Sequence, residues 1–264
     1  DIRIFNKALS RVEIENLYMA ERPASSFDAT QGMVLSYPFD GGSLVDLSTQ
    51  GNNGVVVGTP TVTTDRHSSP GDAYSLSAGN TISTQTANGF PYGYEDFTLL
   101  FWLNNATATG FGSGTRMIVA NEANTFVVDV NSANGRLGYN TGFGYNPGTP
   151  DLQSPNLSWA PSTWYQVVVK RENNTTTIYR DGVSLGSGST PDGNWAAGGS
   201  NPVFTLGGGT GNEANCSIDD LRLYNLALTD AEISELYLLE RPFRMGPLFF
   251  DTQNLVAHYP VLGP

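Results

Sequence analysis

Two sets of side chains in this sequence are of the right type to handle a ligand. The first is a glycine-rich run of rings and amides, Gly138-Tyr-Asn-Thr-Gly-Phe-Gly-Tyr-Asn-Pro-Gly148, which brings Tyr139, Asn140, Phe143, Tyr145 and Asn146 close together in the chain. Trp159 and Trp195 stand in other turn-rich segments. Aromatic faces that cover C–H surfaces, flanked by amides that donate and accept hydrogen bonds, are the chemistry of sugar recognition at a loop rim or a concave sheet. The alternative for each ring is a loop that tucks its own side chains over the core. The second set is carboxylates: Asp40, ahead of Gly41-Gly42, and the adjacent Asp219 and Asp220. Turn carboxylates and carbonyls are the donors that Ca2+ takes. Their alternative roles are a turn cap for Asp40 and an ion pair with Arg222 for Asp220.

Two further patterns have catalytic spacing without catalytic context. Gly182-Val-Ser-Leu-Gly186 matches Gly-x-Ser-x-Gly, but it follows a hairpin turn and not a strand leading into a helix, and His67 and His258 are the only histidines available as a base. Gly207-Gly-Gly-Thr-Gly211 has no lysine and no following helix, so it reads as a turn and not as a phosphate cradle.

The elements that must position these residues are strands. Thirty glycines and fifteen prolines in 264 residues make turns frequent and long helices scarce. Charged residues are only 14%, so Ser, Thr, Asn, Gln and Gly must cover the surface, as in secreted β-proteins. A net charge of −12 with two lysines, Lys7 and Lys170, repels nucleic acid and anionic membranes. No apolar run reaches the length of a membrane span, and the single cysteine, Cys216, excludes an intrachain disulfide framework. The clearest strand signals are Met33 to Phe39, Phe97 to Leu103, Thr125 to Val130, Trp164 to Lys170, Thr175 to Tyr179, Val203 to Leu206 and Leu221 to Tyr224. Asp181-Gly182 predicts a two-residue hairpin turn. Trp102 and Trp164, both on strands, are expected in the core.

The chain also matches itself. Asp1-Ile-Arg-Ile-Phe through Glu-Arg-Pro23 returns 219 positions on as Asp220-Leu-Arg-Leu-Tyr through Glu-Arg-Pro242, and Thr30 to Pro38 returns 222 positions on as Thr252 to Pro260. A period of this length is an autonomous bead. The expected organisation is 1–23 as the last strand and helix of a preceding copy, 24–242 as a complete domain, and 243–264 as the first strand of a following copy. The chain is accordingly expected to be a window from a longer tandem protein, with its end strands pairing with neighbouring copies. Capping boxes at Ser10 to Glu13 and Thr229 to Glu232 each open an amphipathic helix, expected to seal the end of its sandwich.

Six ordered motifs carry a resemblance: Val34 to Asp40; Val45-Asp-Leu-Ser48 with Asn52-Asn-Gly54; Asp96 to Trp102; Trp164 to Val169; Ile178 to Gly182; and Ile218 to Tyr224. In this order they resemble laminin-G-like modules of the concanavalin A-like lectin and glucanase superfamily. The resemblance implies an all-β fold, a two-sheet antiparallel jelly-roll sandwich whose first and last strands are neighbours, and a non-catalytic role outside the cell in binding glycans or cell-surface proteins. Neighbouring first and last strands would bring Asp40 towards Asp219 and Asp220, and many relatives hold a structural Ca2+. The glucanases of the superfamily carry Glu-x-Asp on one strand, and here no Glu has an Asp two positions later. The leading expectation is a tandem module of a secreted or surface protein that serves adhesion. A structural subunit of an extracellular filament or viral fibre, joined through the terminal strands, is the alternative, and a glycoside hydrolase of the same fold comes third.

Overall fold

A computed structural model describes residues 2–9, 14, 17, 27–91, 93–105, 111–121, 124–141, 150–190, 203–208, 212–242 and 255–259. The chain divides into two compact units, one of residues 29–242 and one that combines 1–28 with 243–264.

The smaller unit contains β1 (Ile2–Phe5) and β17 (Leu255–Tyr259). They pair antiparallel, with Ile2 opposite Tyr259, Arg3 opposite His258, Ile4 opposite Ala257 and Phe5 opposite Leu255, and the register shifts between Ile4 and Phe5. Ile14 and Leu17, within the first capping-box segment, are helical.

The larger unit is two antiparallel sheets face to face. The strands of the first sheet are β3 (Gly54–Val57), β6 (Thr81–Thr84), β8 (Thr115–Asn121), β9 (Phe126–Asn131), β10 (Leu137–Thr141), β11 (Leu152–Gln153) and β15 (Phe204–Leu206), in the order β11-β10-β9-β8-β15-β6-β3. Those of the second are β2 (Met33–Tyr37), β4 (Thr61–Thr64), β5 (Pro70–Leu76), β7 (Phe97–Asn104), β12 (Trp164–Glu172), β13 (Thr175–Arg180), β14 (Val183–Ser189) and β16 (Cys216–Tyr224). Their order is β14-β13-β12-β7-β16-β5-β4, and β2 pairs with the second half of β16. First and last strands of the sandwich are thus neighbours, with Leu221 opposite Tyr37 and Leu223 opposite Leu35.

Turn chemistry sets the hairpins. Asp181 and Gly182 have φ of 55° and 73°, the doubly left-handed pair that a type I′ turn needs. Asn173 and Asn174 do the same between β12 and β13, with φ of 48° and 65°. The motif Val45 to Ser48 with Asn52 is a polar knot that ties the first strand to the loops beside it. Asp46 accepts from the backbone N–H groups of Ser36 (2.9 Å), Ser48 (2.9 Å) and Asn52 (2.7 Å) and from the Ser48 hydroxyl (2.7 Å). The Asn52 side chain donates to Val34 O and Asn88 O and accepts from the Thr86 hydroxyl and the Asn88 N–H. Both residues are buried, and this knot satisfies backbone groups that would otherwise be costly.

Strand β7 is buried along its whole length because both faces of it are covered. Phe97, Leu99, Phe101 and Leu103 enter the inter-sheet core with Val34, Leu35, Phe126, Val128, Tyr139 and Phe204. The alternate residue Trp102 points outward, stacked on Tyr237 of α1 (Asp230–Glu240) with ring centroids 6.0 Å apart. Helix α1 therefore lies on the outer face of the second sheet and does not seal an end of the sandwich, as its sequence pattern had suggested. Trp102 is fully buried, as expected, but in that outer layer between sheet and helix, whereas Trp164 is only half-buried. Thr229 caps α1 through its hydroxyl on Glu232 N–H (3.2 Å), and Glu232 returns a carboxylate to Thr229 N–H (2.7 Å). Ile233 and Leu236 are its buried face, and Ser234 donates to Gly182 O (2.9 Å), tying the helix to the β13–β14 turn.

Candidate ligand-binding site

The predicted loop from Gly138 begins as a strand. Residues 137–141 form β10, and the period of two sorts the two predicted contact residues to opposite faces. Tyr139 is fully buried in the core against Phe97 and Phe126, which corrects its assignment as a ligand-facing ring. Asn140 points the other way and donates to Asp129 Oδ2 at 3.0 Å on the outward face of the first sheet. Trp159 is a wedge and not an open platform. Its Nε1 donates to Gly135 O (2.8 Å), its ring meets Phe111 and Tyr165 edge-on, and Arg180 lies over it at 5.3 Å. Phe143, Tyr145, Asn146 and Trp195 lie outside the described residues.

Beside Asn140 the outward face opens into a cleft of about 70 Å³ lined by Thr115, Asp129, Asn131, Asn134, Arg136, Leu137, Gly138, Pro150 and Gln153. Sequence reasoning named none of these lining residues as ligand contacts. Asp129 lies in the middle of an otherwise apolar strand, Phe126-Val-Val-Asp-Val130, and sits opposite Gly138 in the register of β9 and β10. That juxtaposition is the signal for it, visible only once the two strands are paired. A Cβ at residue 138 would collide with Asp129 Oδ1 and come within 3.0 Å of Pro150, so the glycine is what lets the carboxylate lie across β10.

Polar groups of the wall are held in place by one another. Arg136 donates to Asn156 Oδ1 (2.7 Å) and Gln153 Oε1 (3.1 Å), Asn131 Nδ2 donates to Thr115 Oγ1 (3.3 Å), and Asn134 Oδ1 accepts from Arg136 N–H (3.1 Å). A preorganised set of one carboxylate, amides and a guanidinium offers donors and acceptors to hydroxyl groups with little ordering cost. The volume is room for two or three waters or for one edge of a sugar ring, so an oligosaccharide would lie across the cleft and not inside it.

Two of the three predicted calcium donors are paired with guanidinium groups. Asp219 and Asp220 are both buried, and both grip Arg66, at 2.5 and 2.9 Å, while Arg222 holds Asp220 at 2.6 Å and Glu240 at 2.5 Å. A bulge in β16 between Asp219 and Arg222, with Asp220 at φ 48°, turns both carboxylates to Arg66, and guanidinium groups take Asp219 Oδ2 and Asp220 Oδ2, while Asp220 Oδ1 has no hydrogen-bond partner. Burial pushes the Asp219 carboxyl up to about 7 against the pull of Arg66. Asp40 is exposed on the turn Asp40–Gly42, where Asp72 accepts the Gly41 N–H (2.7 Å). Among the described residues no three or more His, Cys, Asp or Glu are gathered to hold a metal. No helix of the described residues is long and apolar enough to cross a membrane.

Comparison with known proteins places this geometry. The laminin-G family profile of the concanavalin A-like lectin/glucanases superfamily matches residues 76–234, and the chain belongs to that superfamily. Among solved structures, domain 4 of AbnA, a GH43 extracellular arabinanase from Geobacillus stearothermophilus in complex with arabinotriose, aligns with a TM-score of 0.58 at 18% identity. That alignment covers 78% of this chain and 98% of the arabinanase domain. The botulinum neurotoxin serotype D binding domain aligns with a TM-score of 0.60 at 16% identity over 80% of this chain. The binding domain of botulinum neurotoxin DC in complex with rat synaptotagmin II gives 0.56 at 18% identity, also over 80% of this chain. The chain spans about half the length of these toxin domains, 52% in each case. At such identities the likeness is one of fold. No curated protein sequence matches the chain.

Proposed function

We propose that this chain is a non-catalytic carbohydrate-binding module of a secreted or surface protein, serving adhesion, and that the cleft around Asp129 is where a neutral oligosaccharide docks. The observation that carries this reading is the cleft itself, whose wall gathers the Asp129 carboxylate, the amides of Asn131, Asn134 and Gln153 and the Arg136 guanidinium on the outward face of a sheet. The arabinotriose-bound domain with which the chain shares its fold supports the substrate class. Net charge of −12 favours a neutral glycan over an acidic one. Among the described residues that line the cleft only Asp129 carries a carboxylate, whereas glycoside hydrolysis needs two acids facing one bond.

The test is a titration of the chain with arabinotriose and a panel of neutral oligosaccharides, followed by calorimetry. A reproducible ligand whose affinity falls at least about tenfold in Asp129→Asn and in Gln153→Ala, with thermal stability nearly unchanged, supports the reading, since tenfold corresponds to one lost charged or paired hydrogen bond. A wild-type chain that binds no glycan, or binding indifferent to both variants, overturns it. Release of reducing sugar from polysaccharide would move the chain to the hydrolase class.

A further inference from the structure

The pairing of β1 with β17 repeats the pairing of β16 with β2 residue for residue. Ile2, Arg3, Ile4 and Phe5 correspond in the sequence repeat to Leu221, Arg222, Leu223 and Tyr224, and Leu255, Ala257, His258 and Tyr259 correspond to Met33, Leu35, Ser36 and Tyr37. Ile2 faces Tyr259 as Leu221 faces Tyr37, Arg3 faces His258 as Arg222 faces Ser36, and Ile4 faces Ala257 as Leu223 faces Leu35. Phe5 faces Leu255 as Tyr224 faces Met33, and both ladders shift register at the same step, Ile4/Phe5 and Leu223/Tyr224. A last strand and a first strand that are separated by a whole intervening domain therefore find each other in the register used within that domain. Register is set by the face each side chain must take, so its recurrence points to the same interface.

We infer that the last strand of one copy and the first strand of another are exchangeable partners, and that separate copies of this chain join by β17 of one pairing with β1 of the next. Each end segment carries one strand of the pair, and its N–H and C=O groups are satisfied equally by the other end of its own chain or by that of a second copy. Closure within one chain and addition between chains use the same hydrogen bonds, and concentration selects between them. Strand exchange of this kind gives a head-to-tail contact, which closes as a ring or extends as a filament.

Disulfide trapping in the full chain tests both parts. The native Cys216 is silent as a competitor, being fully buried with its thiol pushed up to about 12 by that burial. Arg3→Cys with His258→Cys places the two cysteines at directly opposed positions, whereas Arg3→Cys with Val256→Cys sets them two residues out of register. The first pair is expected to oxidise at least about tenfold faster than the second, because off-register Cα atoms exceed the span a disulfide bridges. Equal rates, or no bond in either, overturn the register. Exchange is then read by mixing a chain carrying only Arg3→Cys with a tagged chain carrying only His258→Cys. Mixed disulfide dimers that rise with concentration and outnumber like-with-like dimers support pairing between copies. Their absence, or equal amounts of like and unlike dimers, overturns it.

Discussion

Each sheet of the sandwich carries a buried acid on its outward face, and the two are treated in opposite ways. On the eight-stranded sheet Asp219 is capped by α1 and held by Arg66, whose guanidinium also lies 5.2 Å over the Trp102 ring and whose Nε donates to Glu240 O (2.9 Å). On the seven-stranded sheet Asp129 borders a cleft, accepts from the Asn140 amide and lies across Gly138, where a side chain would collide with it. The carboxylate sealed beside a guanidinium holds a helix to a sheet; the one at the cleft wall is, in the proposed reading, the group that meets a ligand. What distinguishes them is the chain around them. β16 leads into a helix that folds back over its own strand, while β9 faces a strand whose glycine makes room for the Asp129 carboxylate.

The contrast can be broken from the sealed side first. Arg66→Ala leaves Asp219 and Asp220 without their shared partner beneath α1, and a loss of about 3–5 kcal/mol is expected in chemical denaturation. Glycan binding at the remote cleft should survive in whatever fraction stays folded. The pH dependence sharpens the same point. The folded Asp219 carboxyl, raised by burial to about 7 from an ordinary 3.8, binds its proton more tightly than the unfolded chain does. Its contribution to stability is therefore full below about pH 4 and lost as pH rises through about 7. Asp219→Asn should flatten the fall in melting temperature between these values, and a profile identical to wild type would contradict the assignment.

On the open side the largest effect is expected from Gly138→Ala, which sets a methyl against Asp129 and Pro150; about 1–3 kcal/mol of stability and all glycan affinity should go together. Asp129→Asn, by contrast, should separate the two by removing affinity with little change in stability. Smallest is Thr229→Ala, which deletes the cap of α1 and costs about 1 kcal/mol while leaving the cleft untouched. An equal effect of Thr229→Ala on glycan affinity would show that the two faces are coupled.

Much of the architecture was legible without coordinates. The laminin-G-like motifs, the Asp181-Gly182 hairpin and the Thr229 capping box are local patterns, and each appears where it was expected. The site was legible only in part. Asn140 and Tyr139 were assigned to one surface, although the strand sends Tyr139 into the core and sets Asn140 on the opposite face beside Asp129. Asp219 and Asp220 were read as metal donors because their partner Arg66 is more than 150 residues away in the chain, at a separation of 153 from Asp219.

The amino-acid sequence determines by itself what depends on neighbours a few residues away: which segments alternate, where φ turns positive, where a helix begins, and that one stretch of chain copies another. Only the tertiary structure decided which face each alternation presents, that α1 covers a sheet and not an end, and that Gly138 makes room for Asp129 across β10. Those outcomes depend on register between strands distant in the chain, and a shift of one residue there would exchange the buried and exposed sets without altering any local signal.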